Sequence, residues 1–270
     1  MKTLRRLMEA GVHFGHHISR CNPKMKPFIH SVHGASHIID LPQTQLALQQ
    51  ACELAKEAKE SGKNILFVGT KIQAAEIICA RARECGVSYV DRRWLGGMLT
   101  NFETLQRRIQ WLKEVEQMRD TGEFYRRSKK ELALLNRRLW QCEKYFGGLK
   151  QLTGRPDVLF VVDSGKEAFA IKEARAVGCA VIALVDTDSD PDGIDIVIPG
   201  NDDNMRSISL ITTTIADAIS GLDDDDDTDW GSGGGPDLQP VGVPRRPSPY
   251  AGLLEIALAL PDAEPDYLED

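Results

Sequence analysis

The feature that most constrains this chain is an alternation running from residue 36 to 220. Short apolar runs rich in β-branched residues are each followed by a stretch with helical spacing. "NILFVGT" (64–70), "DVLFVVD" (157–163), "AVIALVD" (180–186) and "DIVIP" (195–199) read as buried strands, with "SYV" (88–90) as a brief one and "HIIDL" (37–41) as a short candidate. Between them, "PQTQLALQQACELAKEAKESG" places Leu46, Ala47, Ala51, Leu54, Ala55 and Ala58 on helical spacing and stops at Gly62. "KIQAAEIICARARECG" is a second helix, residues 166–178 a third, and about 203–220 a fourth, opened by "NDDN", whose side chains can cap it. Strands separated by helices of this length imply βαβ units. The fold class that follows is α/β, a doubly wound parallel sheet of about five strands covered on both faces.

The alternation breaks once, at 101–150, where no strand signal occurs. Phe102, Leu105, Ile109, Leu112, Val115 and Met118 recur every three or four residues, as do Leu132, Leu135, Leu139, Cys142 and Phe146. Two helices joined by "DTGEFYRRSKK" make an antiparallel hairpin inserted into the sheet domain, with Arg126, Arg127, Lys129 and Lys130 at its apex. The chain thus divides into 1–100, with an N-terminal loop and the first part of the α/β domain, the inserted hairpin 101–150, the second part 151–222, and an acidic tail 223–270. That tail carries 13 acidic and 2 basic residues, leaving 27 acidic and 31 basic residues in 1–222. A mildly basic body beside a strongly acidic tail points to contact between the body and a polyanion. The acidic, Gly- and Pro-rich tail reads as disordered, with 251–260 able to form a short helix against a partner.

All six histidines fall in 13–37, around Cys21. A structural zinc site would want close ligand pairs, and here one cysteine stands alone with no acidic residue between Glu9 and Asp40. The prolines prevent a single regular element, so the segment reads as a rigid extended loop. Its Arg20, Asn22, Lys24 and Lys26 suit phosphate and ribose contact. "DRRWLGGMLTNF" offers Arg92 and Arg93 as cations, and Trp94 as either a stacking plane or an anchor against the core. Arg107 and Arg108 add charge at the start of the hairpin.

A nucleotide enzyme must be weighed, because doubly wound sheets often serve one. The turns "VGTKIQAAE", "VDSGKEAFA" and "VDTDSDPDG" contain neither G-x-G-x-x-G nor G-x-x-x-x-G-K-[ST]. Asp186, Asp188, Asp190, Asp192, Asp202 and Asp203 could hold a divalent cation, though such residues commonly serve as turn formers and caps. No cofactor, catalytic residue or small-molecule substrate is indicated. No window is apolar enough for a membrane span, and no leader is evident. Six scattered cysteines fit reduced thiols in a soluble, cytoplasmic protein.

"LMEAGVHFGHHISRCNPKMKPFI", "HIIDL", "ILFVGTKIQA", "YVDRRWLGGMLTNF", "PDVLFVVD", "KEARAVG" and "VIALVDTDSDPDGIDIVIPGNDD" occur in this order over about residues 3–220. Together they closely resemble the bacterial and organellar type of the small-subunit ribosomal protein S2 family. The resemblance implies a flavodoxin-like sheet with the hairpin as an insertion, and a structural, non-catalytic role. It implies binding to small-subunit ribosomal RNA between head and body on the solvent side, and help in docking ribosomal protein S1. It also implies a bacterial cytoplasmic, plastid or mitochondrial setting. Carried over by position, the loop around Arg20, Asn22, Lys24 and Lys26, the "RRWLGG" turn and the basic hairpin become RNA-contact candidates.

Overall fold

In a computed structural model, residues 4–222 are described; the expected disordered tail and the 251–260 helix lie outside them. The central sheet has five strands: β4 (Ile65–Val68), β5 (Ser88–Val90), β6 (Val158–Val162), β7 (Ala180–Val185) and β8 (Ile196–Pro199). All neighbours are parallel, in the order β5-β4-β6-β7-β8. Counting only these strands, the order is 2-1-3-4-5, the flavodoxin-like arrangement, with its switch point between β4 and β6.

Side-chain alternation along each strand divides the interior into two layers. Phe67, Phe160, Val162, Ile182 and Leu184 face one side. There they meet α2 (Leu41–Glu60), α3 (Ile72–Glu84) and α7 (Met205–Ser220) through Leu48, Ala51, Ile78, Ile211 and Ile215. Phe67 and Phe160 pack edge to face with ring centroids 5.1 Å apart. Leu66, Val68, Leu159, Val161 and Ala183 face the other side, against α6 (Ala168–Val177) and the base of the hairpin. Burial on both faces explains why the strands read as unbroken apolar runs.

The inserted hairpin consists of α4 (Phe102–Asp120) and α5 (Lys129–Phe146), joined by a short 3-10 turn at Glu123–Arg126. Leu112, Val115, Phe124 and Leu139 make a separate small core that seals the outer end of the arm. Ser128 accepts from the Glu131 amide and Glu131 reaches back to the Ser128 amide, a capping box that starts α5 beside the apex. The hairpin re-enters the sheet domain through Gly147 and Gly148, and a Cβ at Gly148 would collide with the Tyr89 backbone.

Two readings of the N-terminal region need correction. Residues 13–37 are not an extended loop, and "HIIDL" does not join the parallel sheet. After α1 (Leu4–Glu9), the chain forms β1 (Phe14–His17), β2 (Ile29–His33) and β3 (Ser36–Ile39), a separate antiparallel sheet of order β1-β3-β2. Pro23 and Pro27 lie in a 3-10 stretch between β1 and β2, where their missing amides cost no ladder bond. Gly34, at φ 61, turns the β2–β3 hairpin.

Candidate nucleic-acid interface

The structure separates the cations proposed from the sequence into groups with different surroundings. At the arm's tip Arg126, Arg127, Lys129 and Lys130 are all exposed. Among the described residues no carboxylate forms an ion pair with Arg126, Lys129 or Lys130, and Arg127 rests on the Met118 sulfur at 3.5 Å. Packing within the arm uses the apolar stripes of the two helices, so these charges stay available to a partner. Arg107 and Arg108 are exposed near the arm's base, with the Arg108 guanidinium 5.8 Å from the Phe146 ring centroid.

The "RRWLGG" turn is built on a residue that sequence reading missed. Glu173 of α6 accepts from the Trp94 Nε1–H at 3.1 Å, and from the amides of Gly97 at 2.8 Å, Leu99 at 3.0 Å and Thr100 at 3.2 Å. Burial alone would raise the Glu173 pKa. The hydrogen bonds from Leu99, Gly97, Trp94 and Thr100 outweigh that and hold the carboxyl below its ordinary value. Gly97 takes φ 90, the left-handed region that glycine reaches without strain. Of the two roles expected for Trp94, the structure gives the anchor: the ring is buried and packs into the core. Arg92 and Arg93 remain exposed on the rim of this braced turn, Arg92 lying 3.6 Å from Asp91.

The N-terminal candidates are unlike one another. Lys24 is paired with Asp190 at 2.9 Å and Asp192 at 2.6 Å, so much of its charge is already answered. Asn22 caps the following 3-10 stretch by accepting from the Lys24 amide at 3.0 Å. Lys26 and Arg20 are exposed. Exposed aromatic rings that sequence periodicity did not single out lie on the arm: Tyr125, and Trp140 with the Lys144 ammonium 5.2 Å from its centroid. Trp140 follows the buried Leu139 and so falls outside the apolar stripe, which was the available signal.

The strand-end crevice, where doubly wound enzymes bind nucleotides, is closed and acidic here. The β1 segment plugs it: the His16 amide donates to Thr187 Oγ1 at 2.9 Å, and the Asn22 amide to the Thr187 carbonyl at 2.8 Å. A Cβ at Gly15 would meet Thr187 Cγ2 at 2.6 Å, so the approach requires glycine. Beside the plug lie the buried Asp186 and Asp202, the half-buried Asp163 and the exposed Asp203. Lys71 joins three of them, at 3.3 Å to Asp163, 2.7 Å to Asp202 and 2.6 Å to Asp203. Burial, with Asp163 nearby, pushes the Asp202 carboxyl up to about 7 despite Lys71. Such a pocket repels phosphates.

His16 is the second positive group in this crevice. Its Nδ1 lies 3.0 Å from Asp186 Oδ2 and its Nε2 3.1 Å from Asp203 Oδ2. The bond to Asp186 raises its pKa, burial pulls it back, and the charges of Asp186, Asp188 and Asp203 add to the rise, so the imidazole sits at about 9. Ligand atoms of His16, Asp186 and Asp188 fall within 4.8 Å of one another, but an imidazole held protonated up to about 9 has no lone pair to give a dication there. The partners of the histidine come from the turns after β7 and β8, not from its own cysteine-bearing segment.

Comparison with known proteins agrees with this arrangement. The family described as ribosomal protein S2 matches residues 7–221. A small ribosomal subunit protein uS2 of Picosynechococcus is 46% identical over 233 residues, covering 85% of this chain and 91% of that protein. The uS2 protein of Dictyoglomus thermophilum is 50% identical over 216 residues, 80% of this chain and 88% of the relative. That of Treponema pallidum is 46% identical over 217 residues, 80% and 75% respectively. With a flavodoxin-like sheet, a plugged crevice and a basic arm as its framework, the chain belongs to the ribosomal protein S2 family, whose members are structural proteins of the small ribosomal subunit and not enzymes.

Proposed function

We propose that the chain binds small-subunit ribosomal RNA between head and body, holding it at the arm's tip and along the "RRWLGG" rim. The single observation that carries this reading is the tip: four exposed cations on a helical arm that has its own core and cap. A rigid arm presents charge at a defined distance from its own base without losing much side-chain or backbone freedom on binding. Contacts of this kind are mainly to phosphates and carry a steep salt dependence. Arg20, Lys26, Arg92, Arg93, Arg107 and Arg108 extend the basic surface, while Asn22, Lys24 and Trp94 support it by positioning backbone. The bacterial sources of the relatives favour a bacterial cytoplasmic setting over a plastid or mitochondrial one. Among the described residues no helix is long and apolar enough to cross a membrane.

Replacing Arg126, Arg127, Lys129 and Lys130 together by Ala should weaken association with ribosomal RNA. It should also flatten the log-affinity against log-salt slope by about 3–4, one for each phosphate no longer neutralised. Filter binding between roughly 50 and 200 mM salt reads this directly, an interval over which counterion release changes affinity by orders of magnitude. An unchanged slope would sink the arm as an RNA contact.

Docking of ribosomal protein S1 belongs to the same reading. Ile72 and Phe169 stand 89% and 73% exposed at the starts of α3 and α6. Their loops are tied together by Lys166 Nζ donating to the Thr70 carbonyl at 3.1 Å, beside the Thr70–Glu167 bonds. Two large exposed apolar side chains on adjoining loops suit a protein partner. Changing both to Ser should lower S1 affinity for purified subunits roughly thirtyfold, the scale of a single hot-spot loss, with ribosomal RNA affinity unchanged. Equal S1 affinity would remove this patch from the docking surface.

A further inference from the structure

We propose that the outer face of α5 is a stacking platform for unpaired bases, on which Trp140 receives a base of single-stranded RNA while Arg137 and Lys144 take the flanking phosphates. The inference rests on the RNA-binding reading and deepens it, because it names the form of RNA that the arm selects. Charge at the tip would serve a duplex and a single strand alike. An indole on a helix face serves only a strand whose bases are turned outward.

The spacing builds the face. Lys130, Ala133, Arg137, Trp140 and Lys144 follow one another at intervals of three and four, so they share one side of the helix. Every one of them is exposed, in a helix whose buried residues are Leu139 and Phe146. The small Ala133 leaves the surface open between Lys130 and Arg137, and the whole stripe continues the basic tip toward the arm's base.

Trp140 itself has no structural duty that would account for it. The ring is 52% exposed, although a tryptophan in a helical hairpin would ordinarily be spent on the core. The arm's core closes without it, using Leu112, Val115, Phe124 and Leu139, with Trp111 as the ring packed against them. A half-exposed indole on a rigid helix gives a flat apolar plane with few rotatable bonds to freeze, which is what a stacked base needs.

The charges around the ring match an anion and nothing already present. Among the described residues no carboxylate pairs with Arg137 or Lys144. The two acidic side chains nearest in sequence are engaged elsewhere, Glu143 with Lys150 at 2.7 Å and Glu131 in the Ser128 capping box. The Lys144 ammonium lies over the Trp140 ring, 5.2 Å from its centroid, and 5.4 Å from that of Tyr145, so the rings hold it against one face of the indole and a base stacks on the other. An apolar plane between two unanswered cations, one helical turn apart on either side, is complementary to a base between two phosphates. A protein partner for the same plane would need acidic residues around its own apolar anchor, and it is an outcome that the test separates.

The test uses the full chain as wild type, Trp140→Leu, Trp140→Phe and the double variant Arg137→Gln with Lys144→Gln. Each is titrated with a uridine oligonucleotide of about 12 residues, with the same oligonucleotide made abasic, and with an RNA duplex of equal length. Trp140→Leu keeps an apolar, helix-favouring side chain on an exposed face, so its melting curve should match wild type. The expected result is a roughly tenfold or greater loss of affinity for the oligonucleotide in Trp140→Leu, with an unchanged salt slope, no loss on the duplex, and no difference from wild type on the abasic strand. Trp140→Phe should recover most of the loss. The double variant should instead flatten the single-strand slope by about 1.4, for two phosphates. Equal oligonucleotide binding by wild type and Trp140→Leu overturns the platform, as does an equal loss on strand and duplex or no binding by wild type. If that happens while the four-alanine tip variant still flattens the slope on ribosomal RNA, the arm remains an RNA contact and only the stacking platform falls.

Discussion

Lys71→Met is expected to destabilise the protein by about 3–5 kcal/mol, the usual effect of removing one partner from a buried ion-pair network. Methionine keeps most of the side-chain stem, so the loss isolates the ammonium. Lys71 is 14% exposed and Asp202 only 2%, which leaves little solvent to screen the unpaired carboxylates. Burial would lower the Lys71 pKa, yet hydrogen bonds to Asp202 and Asp203 override it and hold the ammonium charged. In a domain of this size, the melting midpoint should fall by roughly 10–15 °C. The companion variant Lys71→Met with Asp202→Asn should recover part of the loss, because Asp202, already pushed up to about 7, must take up a proton once Lys71 is gone, whereas the amide is uncharged from the start. Thermal unfolding followed by circular dichroism decides it; a shift under roughly 2 °C would mean that water reaches the crevice freely.

The second large effect is expected at Glu173. Its carboxylate satisfies the Trp94 indole, three backbone amides and the Thr100 hydroxyl, so Glu173→Ala leaves five donors without their acceptor. The site is partly exposed and water can replace some of these bonds. The loss should therefore be about 2–3 kcal/mol, below the sum for this set of charge-assisted bonds. Glu173→Gln, which keeps one carbonyl acceptor, should lose less. Amide hydrogen exchange at Gly97 and Leu99 should accelerate in both variants. The pH dependence has a definite sign. A carboxyl held below its ordinary value contributes stability that is complete above the unfolded pKa of about 4.3 and declines as pH falls through the lower folded value. The difference between wild type and Glu173→Ala should therefore be full at pH 7 and shrink in acid. A difference independent of pH would show that the bonds do not depend on the carboxylate's charge. Arg92 and Arg93 ride on the same turn, so the RNA contact proposed for them should weaken along with its order.

The main architecture was legible because it rests on local periodicity. "ILFV", "VLFVV" and "AVIALV" are apolar on both strand faces, and only a sheet covered on both sides buries them. The arm was legible for the same reason, since Phe102, Leu105, Ile109, Leu112 and Val115 mark a stripe that is buried at every one of those positions. The N-terminal region resisted such reading because its prolines argue locally against strands. The small sheet forms around them, with β3 supplying ladder partners to both β1 and β2.

What the sequence determined by itself was the parallel sheet, the inserted arm and the position of its charge, all consequences of side-chain spacing within a single element. What only tertiary structure decided was which charges are already answered and which are left free. Lys24 meets Asp190 and Asp192 across more than 160 residues, Trp94 meets Glu173, and His16 meets Asp186, Asp188 and Asp203. Such pairings arise where a doubly wound sheet brings the ends of distant strands to one edge, and the Coulomb energy there depends on separation and burial, which sequence spacing does not encode.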